Sequence, residues 1–393
     1  MRHHVYFSPG MFGFGRLGSY DYFAHIEREL AARFAAAGHE LVAHVIEDLP
    51  TASIRRRATR LAEIVTRTAG EDHAPIHLLG HSTGGLDARL AASPATRSIP
   101  EPSLAWLPRL RSVTTMNTPH FGTPLASFFV TASGERVLAA LSVLTVAGLS
   151  LGAQPLAAAS VLRGFLRGSE RAFPFKLEIL ERSIESVVGL VDDARTPEVR
   201  TFLQAIHDDQ GSMLQLSPES MDLFAASFAD RAGVTYQSTA SMAPSPKPRR
   251  FVETVGRPWR AVSLSLFFAL QRVTAKPSAR YPCAALRDTA PWAGDATEAL
   301  LARALAGSPP LAANDGIVPL RSQLWGHLVW AGLGDHLDVL GHFRDDRTSG
   351  RDAGAPVAPE LRHRDWLTSG SDFGPTQFAA LVDAIAGGML AAR

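Results

Sequence analysis

The sequence predicts an α/β fold with a doubly wound, mostly parallel β-sheet, and two observations support this class. Short apolar, β-branched runs alternate with segments of helical spacing along the first third of the chain. One of these runs, Ile76–Leu79, leads into the pentapeptide Gly80–Gly84 (Gly-His-Ser-Thr-Gly), and a helix-like segment follows. The 393 residues, 46% of them hydrophobic, suffice for one large domain with insertions.

Apolar spacing and capping signals place the individual elements. The predicted strands are Val5–Ser8, Glu40–Ile46, Ile76–Leu79, Ser112–Asn117, Val234–Ala240 and Leu328–Trp330. The predicted helices are Tyr22–Ala37, Ser53–Thr68, Leu86–Ala91, Trp259–Val273 and Pro375–Met389. Ser53 is placed to cap its helix, and Gly38 follows the end of the first helix.

The alternation of strands and helices stops over residues 125–214, which we interpret as a helical cap or lid inserted into a single domain spanning 1–393. Within it, the 26 residues of Val137–Leu162 carry no charge, a length that would span a membrane. Glycine and proline interrupt this stretch, and it lies between segments of one sheet, so we expect no stable membrane span. It forms either buried core helices or a mobile apolar lid. Residues 241–285 are a second candidate cap element.

Charge and cysteine content exclude several classes of partner and site. The 39 basic and 38 acidic residues nearly cancel, so we expect no nucleic-acid partner, and the basic runs Arg55–Arg57 and Lys247–Arg250 are interpreted as solvated surface. The single cysteine, Cys283, excludes an intrachain disulfide and is expected to be a partly buried thiol. Because no signal-peptide pattern precedes Val5, we expect a cytoplasmic protein, or a secreted one if a leader was removed.

The pentapeptide Gly80–Gly84 has the pattern of a nucleophile elbow. In such an elbow the serine lies on a strained strand-to-helix turn with its Oγ exposed, and the flanking glycines avoid collision with neighbouring backbone. The predicted strand before Ser82 and helix after it supply the required context. Ser82 is therefore the candidate nucleophile.

A serine nucleophile needs a base, and the base needs a carboxylate to orient it. In elbow-containing hydrolases the order along the chain is Ser, Asp or Glu, then His. Asp315 lies in a turn before an apolar pair, and His336 follows 21 residues later, which leaves room for one strand between them. We assign these two as acid and base. The residues alone also allow His327 or His342 as the base and Asp335 or Asp338 as the acid.

Acyl transfer also needs backbone N–H groups that bind the oxyanion. One donor is expected from Thr83, directly after the nucleophile. The other is expected from the loop after the first strand, where Pro9 lacks an N–H and Gly10 permits a sharp turn, so that Met11 is the candidate.

The motifs together resemble the bacterial triacylglycerol lipases of the Pseudomonas and Burkholderia type, over roughly residues 5–125 and 210–345. The matching segments are Gly10–Phe14 with Ser19–Phe23, Gly80–Gly84, Thr115–Pro124, Asn314–Val318 and Asp335–Asp338. The resemblance implies an α/β-hydrolase fold and favours His336 as the base, because the family's base precedes a Leu-Asp pair.

The implied activity is hydrolysis of carboxylic esters, with long-chain acylglycerols as substrates and transient contact with a lipid interface through the cap. No organic cofactor is expected. The alternatives are an esterase of shorter acyl chains, an acyltransferase or a polyester depolymerase using the same triad. A more distant alternative is a non-catalytic lipid carrier with the apolar cap as its pocket.

The resemblance also implies a structural Ca²⁺ near the base, held by Asp338 and by an upstream acid that Asp295 matches in position. Carboxylate and carbonyl oxygens suit this ion. The alternative is that both are solvated or helix-capping acids. The chain departs from the family where Pro9 replaces a histidine, where Thr83 often corresponds to a histidine, and in the insertion of some ninety residues at 125–214.

Overall fold

The protein is described by a computed structural model that covers 1–11, 16–17, 20–47, 51–70, 72–94, 104–129, 211–245, 247, 250, 252, 258–276, 294–342 and 369–392. The uncharged stretch Val137–Leu162 and the cysteine Cys283 lie outside the described residues, so the two interpretations of the cap stay predictions.

Six parallel strands form the central sheet. They are β1 (Arg2–Ser8), β4 (Glu40–Val45), β5 (Ile76–His81), β6 (Leu110–Met116), β7 (Thr235–Met242) and β8 (His327–Leu333). Their spatial order is β4-β1-β5-β6-β7-β8. Two short strands, β2 (Arg16–Leu17) and β3 (Tyr20–Asp21), pair in antiparallel fashion after β1. The predicted fold class is confirmed.

Nine helices are described. They are α1 (Ala24–Ala36), α2 (Ile54–Thr68), α3 (Thr83–Ala92), α4 (Pro124–Phe129), α5 (Gly211–Gln215), α6 (Pro218–Ser227), α7 (Pro258–Thr274), α8 (Asp295–Ala304) and α9 (Pro375–Ala391). The Ser53 hydroxyl caps α2 by accepting the Arg56 N–H at 3.4 Å, as predicted. Within the described ranges, no helix has both the length and the hydropathy needed to cross a membrane.

Both faces of the sheet are covered, which explains why its strands are apolar runs rather than alternating patterns. On one face Phe7 packs with Phe23, the residue directly before α1, and with Leu381 of α9. On the other face Tyr6 packs with Leu61 of α2 and with neighbouring apolar side chains. The two clusters make the sheet a rigid support for the loops that follow its strands.

One prediction about the surface is wrong. Arg55 and Arg56 are exposed, but Arg57 is completely buried between α2 and α3, where its guanidinium contacts the carboxylate of Asp87. The helical spacing explains the difference, because Arg57 shares the inward face of α2 with Ile54 and Leu61.

Because all six strands are parallel, their carboxyl ends meet at one edge of the sheet. The loops at this edge hold Met11 after β1, Ser82 after β5, Asn117 after β6 and His336 after β8. Residues far apart in the sequence are therefore delivered to one place.

Candidate active site

Ser82 lies in a strained turn between β5 and α3. Its φ of +54° is in the left-handed region, which non-glycine residues rarely adopt. A Cβ on Gly80 would come within 2.2 Å of the Gly84 backbone, and a Cβ on Gly84 within 2.0 Å of the Ser8 carbonyl oxygen. Both flanking positions therefore require glycine, and the turn has the geometry expected of a nucleophile elbow.

Asp315 and His336 are brought together as an acid–base pair. His336 Nδ1 lies 2.7 Å from Asp315 Oδ2, and the Asp315 side chain is completely buried. Asp315 Oδ1 accepts the N–H groups of Ile317 at 2.9 Å and Val318 at 2.7 Å. A carboxylate oxygen accepts in this contact, so the neutral imidazole that fits it has its proton on Nδ1 and a lone pair on Nε2. That lone pair can take a proton from a hydroxyl group.

Asn117 supports the acid, a role that the sequence did not indicate. Its amide Nδ2 donates to Asp315 Oδ2 at 2.9 Å and to Ser241 Oγ at 2.6 Å. Asn117 is completely buried and has a φ of +48°, a conformation that asparagine tolerates better than most residues. The sequence signals were its position at the end of a predicted strand and within the matching segment Thr115–Pro124, and neither indicated this role.

His81 joins the loop of the candidate base to the strand that precedes the candidate nucleophile. Its Nε2 lies 2.9 Å from the backbone carbonyl oxygen of His336, and the two imidazole rings are 4.7 Å apart. His81 immediately precedes Ser82. The base loop is thereby held against the residue next to the candidate nucleophile.

The two candidate oxyanion donors lie on either side of this turn. A Cβ on Gly10 would come within 2.8 Å of Ser82 Cβ, so the Gly10–Met11 loop lies directly on the serine. The N–H of Gly10 donates to the Tyr22 hydroxyl oxygen at 3.2 Å, which leaves Met11 as the next available donor in that loop. Thr83 is the first residue of α3, where backbone N–H groups have no partner within the helix.

A buried ion pair holds the loop that carries Met11. Arg57 Nη2 lies 2.8 Å from Asp87 Oδ2, and the same nitrogen donates to the backbone carbonyl of Pro9. The Ser8 hydroxyl donates to Asp87 Oδ2 at 3.1 Å. Removing one partner from such a pair would leave an uncompensated buried charge. Arg57 and Asp87 therefore fix the end of β1 and the loop after it.

The rival bases lie elsewhere. His327 is exposed at the start of β8, and His342 is buried with its ring 5.8 Å from that of His25 and 6.5 Å from that of Tyr22. Neither is the histidine that bonds to Asp315.

The rival acids shape the loop of the base. Asp335 Oδ1 accepts the N–H groups of Leu337 and Asp338, each at 3.0 Å. Asp338 Oδ2 accepts the Asp335 N–H at 2.8 Å and the Ser371 hydroxyl at 2.6 Å. Burial raises the pKa of Asp335 to about 6. Burial and the nearby Asp335 charge raise the pKa of Asp338 well above its ordinary value.

The two predicted metal ligands differ in environment. Asp338 is buried at the end of the base loop, whereas Asp295 is exposed at the first residue of α8. In the described part of the chain, no group of three histidine, cysteine or acidic side chains is arranged to hold a metal ion.

An apolar cluster adjoins the site. Its buried members are Leu125, Phe129, Met213, Ala243, Leu264, Phe267, Phe268 and Leu270. Half-buried Met11, Ile317 and Leu337 pack against them. Met11 is the candidate oxyanion donor, and Ile317 and Leu337 lie two residues and one residue from the candidate acid and base. The packed apolar cluster therefore extends to the candidate reaction centre.

No protein family model and no curated protein sequence matches this chain. Among solved structures, it is similar to lipase 1 from Pelosinus fermentans, with 16% identity, 98% of each chain covered and a TM-score of 0.47. It is also similar to Staphylococcus hyicus lipase, with 13% identity, 98% of this chain and 94% of the other covered, and a TM-score of 0.43. EstA from Clostridium botulinum has 16% identity, coverage of 87% and 83%, and a TM-score of 0.43. The fold class follows from the molecule itself: the parallel sheet in the order β4-β1-β5-β6-β7-β8, with a strained serine turn after β5, is an α/β-hydrolase fold.

Proposed function

We propose that this protein is a serine hydrolase that cleaves carboxylic esters through an acyl-enzyme. The observation that carries the proposal is the 2.7 Å contact between Asp315 and His336, on a loop tied by His81 to the strained turn of Ser82. A buried carboxylate that fixes the tautomer of a histidine beside such a turn is the arrangement that acyl transfer from serine requires.

The first half of the reaction forms the acyl-enzyme. Ser82 Oγ attacks the ester carbonyl carbon while His336 Nε2 takes the hydroxyl proton. The carbonyl oxygen becomes an oxyanion, which the N–H groups of Met11 and Thr83 bind. The intermediate then collapses, and His336 gives the proton to the departing alcohol.

The second half releases the acid. Water attacks the acyl carbon as His336 takes its proton, and the proton returns to Ser82 Oγ as that bond breaks. Asp315 holds the imidazole in the Nδ1–H tautomer throughout and stabilises the imidazolium that forms in each half.

The proposed substrates are long-chain acylglycerols. The apolar cluster that reaches Met11 and Leu337 supports this choice, because a long acyl chain needs buried apolar surface beside the oxyanion donors. The exposed leucines Leu214 on α5 and Leu223 on α6, which are 62% and 72% exposed, support transient contact with a lipid interface. The narrower resemblance to the Pseudomonas and Burkholderia lipases remains a prediction.

We further propose a structural Ca²⁺ beside the base loop. Asp338 suits this role, because it is a buried oxygen donor next to a second buried carboxylate, Asp335. A cation there would compensate two charges that burial otherwise penalises. Asp295 remains the proposed second ligand. Backbone carbonyl oxygens and water would complete the coordination, and the ion would tie down the loop of His336.

The decisive experiment is hydrolysis of p-nitrophenyl esters from short to long acyl chains by the wild type and Ser82→Ala. The proposal expects rates that rise towards long chains and fall by about 10⁴-fold or more in Ser82→Ala. Ser227→Ala removes an exposed hydroxyl on α6 and serves as the control that keeps full activity. A rate peak at acetate or butyrate would contradict the long-chain assignment and favour an esterase.

The alternatives separate in the same assay. Transfer of the acyl group to an added alcohol would identify an acyltransferase, and release of monomers from a polyester would identify a depolymerase. If the wild type and Ser82→Ala both bind long-chain lipid but neither hydrolyses any ester, the enzyme proposal is wrong and the lipid-carrier alternative replaces it.

A further inference from the structure

Three loops of the candidate site are joined by one buried chain of hydrogen bonds. The Gly10 N–H lies 3.2 Å from the Tyr22 hydroxyl oxygen, which lies 2.7 Å from His81 Nδ1. His81 Nε2 lies 2.9 Å from the backbone carbonyl oxygen of His336. His81 is completely buried, and Tyr22 is 6% exposed.

The direction of every bond in this chain follows from its two ends. The His336 carbonyl oxygen can only accept, so the His81 Nε2 must carry a proton. A neutral imidazole then has a lone pair on Nδ1, which accepts the hydroxyl proton of Tyr22. The Tyr22 oxygen in turn accepts the Gly10 N–H. All four polar groups are therefore satisfied by one arrangement of protons.

Burial keeps His81 in this neutral form. Desolvation and the neighbouring His336 lower the pKa of His81 well below its ordinary value. A second proton on His81 would also reverse the bond to Tyr22 and place a positive charge beside the ring that must itself become an imidazolium.

We propose that Tyr22 and His81 are positioning residues that fix the oxyanion loop and the catalytic base on the nucleophile strand. The inference rests on the proposed serine hydrolysis. The loops after β1, β5 and β8 carry the oxyanion donor, the nucleophile and the base. This hydrogen-bonded chain contacts the first and third loops and His81, the last residue of β5, which directly precedes Ser82. Tyr22 orients the peptide that precedes Met11, and His81 holds the backbone of His336.

This role predicts a specific kinetic effect. The Tyr22 hydroxyl is fully engaged with Gly10 and His81, so its removal takes away no contact made to substrate in the ground state. It leaves a buried N–H and a buried imidazole nitrogen without partners, and both belong to groups that must be aligned in the transition state. A loss of alignment lowers kcat, whereas a lost substrate contact raises KM.

The test compares Tyr22→Phe with Tyr6→Phe. Tyr6 is also buried, lies on β1, and bonds through its hydroxyl to Thr68 Oγ1 at 3.0 Å, on the α2 side of the sheet. Both variants lose one buried hydroxyl group; Tyr22→Phe loses the bonds to Gly10 and His81, and Tyr6→Phe loses the bond to Thr68. We expect kcat to fall by about 10- to 100-fold in Tyr22→Phe with KM changed less than about twofold, and to stay near the wild-type value in Tyr6→Phe.

A second pair of variants tests His81. Glutamine can present an amide N–H near the position of the imidazole Nε2, whereas leucine cannot. We expect His81→Gln to recover part of the kcat that His81→Leu loses. Equal kcat for the two variants would overturn the role of the bond to His336.

The outcomes separate this inference from the proposed function. If the wild type shows no hydrolysis that depends on Ser82, the proposed function fails. If the wild type hydrolyses esters and Tyr22→Phe matches its kcat, the inference alone fails. Equal losses of kcat and melting temperature in Tyr22→Phe and Tyr6→Phe would also overturn it, because the hydroxyl would then be merely structural.

Discussion

At the scale of single residues, the candidate site depends on buried polar groups that orient other polar groups. Asn117 is the clearest case, because its amide bonds to Asp315 while its backbone adopts a positive φ. Neither property is visible in the sequence, where asparagine at the end of a strand is common in ordinary turns.

Asn117 offers a substitution in which backbone and side-chain effects can be separated. Asn117→Gly removes the amide but keeps a residue that accepts positive φ, and we expect kcat to fall about tenfold because Asp315 loses a donor. Asn117→Ala should show a similar kcat but unfold with about 1 kcal/mol less free energy than Asn117→Gly, because alanine is strained at this φ. Steady-state kinetics and urea unfolding of both variants measure the two effects. A wild-type kcat in Asn117→Gly would contradict the role of the amide.

The same scale shows how far the site could be predicted. The strained turn at Ser82 was predictable because two glycines and a strand–helix context surround the serine. Order along the chain suggested Asp315 and His336 but left rivals, since it does not tell which carboxylate lies within 2.7 Å of which imidazole. The roles of Tyr22 and Arg57 depend on contacts with the loop after β1, and no local pattern reports such contacts.

At the scale of elements, the predicted strands and helices exist, and the largest difference at a strand start is in β1. The strand begins at Arg2 rather than Val5, because His3 and His4 are buried despite being polar. His3 bonds to His77 of β5 at 3.0 Å and to His39 at 3.2 Å. Neutral imidazoles that bond to each other can occupy the interior, which a search for apolar residues does not detect.

These imidazoles predict a dependence of stability on pH. Burial lowers the pKa of His77 to about 3 and that of His3 to about 4 in the folded protein, against about 6.5 in an unfolded chain. Between these values the unfolded state binds more protons. The contribution of these neutral histidines to the free energy of unfolding is therefore complete above pH 6.5 and is lost as pH falls towards 4 for His3 and towards 3 for His77.

The raised pKa values of the buried Asp335 and Asp338 change the free energy of unfolding with pH in the opposite direction. The effect of the histidines is therefore measured as the difference between the wild type and a variant that lacks one of them. His77→Gln keeps polar atoms near Ser112 but does not titrate. We expect the free energy of unfolding to fall more steeply from pH 7.5 to 5 in the wild type than in His77→Gln, as measured by urea unfolding. Parallel pH curves for the two proteins would contradict the assignment.

At the scale of the whole molecule, the carboxyl end of the sheet carries the candidate chemistry, and the opposite end carries the buried histidines His3, His4 and His77. The C-terminal segment connects to the chemical end, because Ser371 bonds to Asp338 and Phe373 packs against Trp330. α9 then covers one face of the sheet and contacts α1. The loop of His336 is thus tied to the packing of the last helix, so we expect a change at Asp338 to affect both the proposed ester hydrolysis and global stability.

This connection makes the proposed calcium ion testable through the whole protein. Chelation should lower the melting temperature and the ester hydrolysis rate together, because the loop that holds His336 would lose its cation while the Asp335 and Asp338 charges stay buried. Asp338→Asn should melt lower than the wild type and should not respond to chelation, since the ligand and one of the two charges are both gone. Calorimetry with and without chelator, and metal analysis of the purified protein, provide the measurements. Unchanged melting of the wild type after chelation, with no calcium in the purified protein, would contradict the proposed calcium site.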